Sequence, residues 1–145
     1  MLKKDRNEPK LNVLACSEAL ATMTAAIVVD EKKIPKRKQN LIGKRMLDHA
    51  LNCFENVRMA NSIYPDKSKD EPDVYKREVA YRQKLQFLAE KEAMNLASDI
   101  KILPTIVKEE PDTKWITMIS EQAVRTTNII SKWRDSDIKR YKKST

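Results

Sequence analysis

KWITMISEQAVRTTNIISKWRDSDIKR, residues 114–140, is the stretch whose reading decides the fold. Trp115, Ile119, Gln122, Thr126, Ile129 and Trp133 follow one another in steps of four and three. That rhythm puts them on one face of an α-helix, because residues three and four apart stack above one another at about 3.6 residues per turn. Ile116, Ala123 and Ile130 thicken the same face, so Trp133 reads as the last anchor of a packing stripe. Around and beyond it the chain turns basic: Lys132, Arg134, Lys139, Arg140, Lys142 and Lys143, with Asp135 and Asp137 between them. A core residue thus abuts a charged surface tail.

Three more segments carry helical periodicity. Residues 11–31 are dense in Ala, Leu, Val and Ile, with Leu11, Leu14, Leu20, Ile27 and Val28 spread around much of the circumference, which predicts a helix shielded by several neighbours. Residues 35–64 open on Pro35, suited to a first helical turn, and carry Met46, Ala50, Cys53, Val57, Ala60 and Tyr64 on one face. Leu47, Leu51 and Phe54 widen that stripe. Residues 72–103 begin after acidic capping candidates, carry Tyr81, Leu85, Leu88, Leu96, Ile100 and Leu103, and are expected to close at Pro104. The fourth helix is expected over 113–138. Residues 1–10 read as a flexible N-terminal segment and 141–145 as a basic tail.

The single glycine and the sparse aromatic residues, 6% of the chain, remove the turn chemistry and alternation that sheets need. An all-α, antiparallel up-down-up-down four-helix bundle over 11–140 is the expectation, since short connections make neighbouring helices antiparallel. The cysteines Cys16 and Cys53 sit inside apolar helical patterns, there is no secretory leader, and no apolar run reaches membrane-spanning length. A cytoplasmic protein without membrane association follows.

Catalytic templates fit poorly. One glycine cannot form a phosphate-cradling loop, one histidine supports no local triad motif, and Met46 stands where a Glu-x-x-His di-iron pattern needs glutamate ahead of His49. His49 and Cys53 share a helix face at i, i+4, but two ligands do not close a zinc site, and Cys53 belongs to the core stripe. The chain reads as a non-enzyme with no metal and no cofactor.

Charge is more informative. A formal net charge of +8 favours polyanionic partners. Between Glu31 and Arg45 lie seven basic residues, Lys32, Lys33, Lys36, Arg37, Lys38, Lys44 and Arg45, against one acid. Lys36, Arg37 and Lys38 are expected in the first turn of the second helix, where the macrodipole disfavours cations by some tenths of a kcal/mol (about 0.3–1) each. Two readings stand side by side: an anion site built from these cations and free helix-start N–H groups, or a solvated turn. In an up-down bundle this cluster and the one at 132–143 lie at opposite poles, and only an oligomer would join repeats of each into a continuous positive rim.

Three stretches, IPKRKQNLIGKRMLDHALNCFENVRMAN, YRQKLQFLAEKEAMNLASDI and KWITMISEQAVRTTNIISKWRDSDIKR, together resemble a known family. It is the bacterial and phage four-helix-bundle family that includes the accessory variability determinant of diversity-generating retroelements, related to proteins encoded in ribosomal RNA intervening sequences. The most specific pieces are Ile34-Pro35-Lys36, Ala60-Asn61, Trp133-Arg134 and Ser136-Asp137, and the likeness spans roughly residues 11–140. It implies a pentameric, barrel-like homo-oligomer that binds nucleic acid, as template RNA or RNA/DNA hybrid, together with a partner reverse transcriptase. The basic residues that match by position are those around Lys36 to Lys38, Lys44, Arg45, Arg134, Lys139 and Arg140; Lys32 and Lys33 join them as candidates by charge. Asp135 departs from the family pattern, which has a basic residue there. A different class of function is a structural or regulatory helical oligomer with an acidic protein partner.

Overall fold

A computed structural model describes residues 2–108 and 112–142, with side chains from 12 to 108 and from 112 to 141. Among the described residues there are four α-helices and no strand: α1 (Leu2–Val28), α2 (Lys44–Asn61), α3 (Pro72–Ile106) and α4 (Lys114–Lys142). The all-α expectation therefore stands. Each helix packs on two others, α1 on α2 and α4, and α3 on α2 and α4. No helix among the described residues is long and apolar enough to cross a membrane.

The core has two layers, each with its own tryptophan. One gathers Leu20, Ile27, Ile34, Met46, Leu96 and Ile100 around Trp115; the other gathers Val13, Val57, Leu85, Ala89 and Ile130 around Trp133. In α2 the predicted residues Met46, Ala50, Cys53, Val57 and Ala60 are all fully buried. Tyr64 is not: α2 ends at Asn61, and Tyr64 lies beyond it at 64% exposure. In α3 Tyr81 is exposed as well, and the next residue, Arg82, occupies the buried face instead.

Helix boundaries differ from the sequence reading in instructive ways. α1 reaches back to Leu2 through Pro9, across a segment rich in the strong helix formers Lys, Glu and Leu. α3 runs through Pro104 to Ile106, because a proline in the last turn removes one hydrogen bond while Val107 N–H still reaches Leu103 O at 2.9 Å. α4 continues to Lys142, so Tyr141 belongs to the helix and the expected tail lies outside the described residues from 143 onward.

The largest difference is at the start of α2. Residues expected to be its first turns form a 3-10 turn, Lys36–Lys38, followed by a π turn, Gln39–Gly43. The Gln39 side chain is the cause: its Nε2 donates to Val28 O at 2.6 Å and to Ile34 O at 2.8 Å, tying the turn to the end of α1. Gly43 packs against the same side chain. A Cβ built there would stand 2.3 Å from Gln39 Oε1 and 3.3 Å from Val28 Cγ1.

Candidate nucleic-acid interface

Three backbone N–H groups of this segment are satisfied within it. Lys38 N–H donates to Pro35 O at 2.8 Å, Gln39 N–H to Lys36 O, and Lys44 N–H to Gln39 O.

The seven cations of the first cluster divide by what holds them. Lys33 Nζ lies 3.0 Å from Asp30 Oδ2, and this hydrogen bond, followed by the Lys32 backbone N–H, holds the Asp30 carboxyl below its ordinary range. Lys38 Nζ donates to Ile106 O, placing a cation on the C-terminal carbonyls of α3, where the macrodipole favours it. Arg45 is bonded to Asp99 across the α2–α3 seam at 3.1 Å. Lys32, Lys36 and Lys44 are exposed, with no side-chain hydrogen bond or ion pair among the described residues, and Arg37 is exposed on the same turn. α2 has no acidic residue in its first turn.

The second cluster lies on α4 and is tied to α3 through Arg134. Arg134 Nη2 lies 2.9 Å from Glu90 Oε1, with its guanidinium 5.7 Å from the Phe87 ring centroid. Lys139 and Arg140 are exposed, the latter 6.0 Å from the Tyr141 ring. Tyr141 rests edge-on against Tyr75 at 6.3 Å. Asp137, read as a charge tempering the tail, is 1% exposed. Its Oδ2 accepts from Arg82 Nε and, at 2.7 Å, from Gln86 Nε2. Arg82 also caps the end of α2 through Ala60 O at 3.1 Å and Ile63 O at 2.8 Å, with Trp133 5.2 Å from its guanidinium.

The structure thus brings residues 32–45 together around the C-terminal part of α3 and places Arg134 against Glu90, well before that end. The sequence reading did not place Arg125 beside Lys132: both line an open groove of about 560 Å³ along α4, with Asn128 between them and Glu121 also in its wall. Spacing alone could have found it, since positions 125, 128 and 132 repeat the three-four step on the face opposite Arg134.

His49 is engaged in the α2–α3 seam, Nδ1 at 2.7 Å from Glu92 Oε2 and Nε2 at 3.6 Å from Asp99 Oδ2. Burial, and then the negative field of Glu92, push the Cys53 thiol up to about 12. Among the described residues no group of three or more His, Cys, Asp or Glu side chains is arranged to hold a metal ion. Compared with known proteins, the chain matches no protein-family profile, no curated protein and no solved structure.

Proposed function

We propose that this chain is a nucleic-acid-binding accessory protein that holds RNA or an RNA/DNA hybrid by its backbone phosphates. The observation that carries the reading is the start of α2: exposed Lys32, Lys36, Arg37 and Lys44 beside Arg45, with no acid in the first turn of the helix. Stability alone favours acids there, as the Asp73 in the first turn of α3 illustrates. Counterion release gives such a surface its affinity and makes it strongly salt-dependent. Base-edge specificity is modest, because no helix among the described residues presents a groove-reading pattern.

The likeness to the accessory variability determinant family adds the rest of the proposal: a cytoplasmic, bacterial or phage-encoded homo-oligomer, as a pentamer, that scaffolds template and reverse transcriptase without catalysing a reaction. An up-down-up-down arrangement belongs to the same proposal. It is supported by the order of contacts, since Arg45–Asp99, His49–Glu92 and Arg82–Ala60 run up one helix as they run down the other. Val29 at 76% and Leu41 at 64% exposure lie beside the basic turn and favour a second reading, an acidic protein partner.

A salt titration with RNA separates the two. The nucleic-acid reading expects log affinity to fall linearly and steeply with log salt; negligible RNA binding at physiological salt sinks it. Lys36→Glu with Arg37→Glu is expected to abolish RNA binding and to change stability by no more than about 0.5 kcal/mol, as surface substitutions do. Unaltered binding in that variant removes the turn from the interface.

A further inference from the structure

Arg45 differs from the other cations in what stands behind it. Its side chain is 66% exposed, yet its Nη2 is held by Asp99 Oδ1, on a carboxylate that is only 4% exposed. Asp99 Oδ2 has no hydrogen-bond partner and faces His49 Nε2 at 3.6 Å, while His49 Nδ1 meets Glu92 Oε2 at 2.7 Å. Glu92, His49, Asp99 and Arg45 thus form one line along the α2–α3 seam, most buried at Asp99 and open to solvent at Arg45.

As a stability device this line is a poor one. Burying a carboxylate is unfavourable, and an ion pair whose cation stands mostly in water returns little. What the arrangement does achieve is orientation. A long, exposed side chain is fixed at the start of α2, next to exposed Lys44, with its remaining N–H donors turned to solvent.

We propose that Asp99 is a positioning residue that holds Arg45 as a preformed fork for the phosphodiester groups of a nucleic acid. This rests on the nucleic-acid reading above and assigns the geometry of its site. The planar guanidinium matches two phosphate oxygens at once, whereas the neighbouring lysines act as point charges. Holding the fork in place beforehand lowers the ordering cost of each contact.

The test uses a labelled single-stranded RNA of mixed sequence and the full chain. Coulomb's law alone expects Asp99→Asn to tighten binding, since it removes a negative charge beside a polyanion. Positioning expects the opposite, a weakening of about fivefold to tenfold. Arg45→Lys keeps the charge and loses the fork, so it weakens binding by about the same factor with the salt slope unchanged. Asp99→Asn added to Arg45→Lys weakens it no further. Arg45 is exposed, so Arg45→Lys remains informative if Asp99→Asn does not fold, which a thermal melt reports. Wild-type affinity in Arg45→Lys, or tighter binding by folded Asp99→Asn, overturns the proposal. A wild-type chain that binds no RNA overturns it together with the functional reading, whereas binding that is lost in Lys36→Glu with Arg37→Glu but indifferent to Arg45→Lys overturns the proposal alone.

Discussion

Residues 32–45 and residues 132–140 are both dense in cations, the second with Asp135 and Asp137 among them, and the chain uses them differently. In the second region the acid at 137 points inward, meets Arg82 and Gln86, and closes the Trp133 layer of the core. In the first, the backbone departs from α geometry, and three of the seven cations, Lys32, Lys36 and Lys44, stand exposed with no acid opposite them in a described ion pair. Charge density along a chain therefore does not separate structural from surface charge. The phase of each residue relative to the buried stripe does.

Asp137→Ala strikes the structural region hardest. It leaves the Arg82 guanidinium buried without its carboxylate, and a loss of about 3 to 5 kcal/mol is expected in urea denaturation. Arg82→Met combined with Asp137→Leu should recover most of that loss, since apolar side chains of similar size remove the desolvation penalty. A cost for Asp137→Ala near that of a surface change would erase the contrast between the regions.

Gly43→Ala tests the other side. Its methyl meets a Gln39 amide already tied to two carbonyls, so a loss of about 1 to 3 kcal/mol is expected from overpacking, with the far layer around Trp133 unaffected by hydrogen exchange. Stabilisation instead, as an ordinary Gly-to-Ala change in a helix gives, would mean that Gln39 yields easily.

The smallest effect concerns Cys53. Its thiol is pushed up to about 12 in the fold, against 9.0 for an unperturbed thiol, so the unfolded chain ionises first as pH rises. The stabilising contribution is full below about pH 9 and declines from there toward pH 12. Between pH 9 and 10.5 the wild type should lose about 1 to 2 kcal/mol more stability than Cys53→Ala. Equal slopes for the two proteins would show that water reaches the thiol.

Much of this architecture was legible in the sequence. The four-and-three spacing of Trp115, Ile119, Thr126 and Trp133 identified the buried face of α4, and Met46 through Ala60 that of α2, because apolar side chains at helical phase have few other places to go. The polar members of the core were harder. Arg82 and Asp137 sit at stripe positions, Arg82 in place of Tyr81 and Asp137 four residues after Trp133, but a charge invites a surface reading unless its partner is known. That partner lies on another helix. For the candidate interface, composition located the cations, while the side-chain bonds of Lys33, Lys38 and Arg45 depend on tertiary neighbours that no local pattern encodes.

The π turn at Gln39–Gly43 also has a bearing on length. A π turn holds one residue more than an α turn, so it offsets the phase of everything after it by about 100°. Met46 and the rest of the α2 stripe face the core in the phase that follows this turn. Deleting a single position from residues 39–43 would give a more regular helix while rotating its apolar side away from α3. In this segment the residue count is itself a determinant of the fold, and homologues should tolerate substitution there far more readily than a change of one in length.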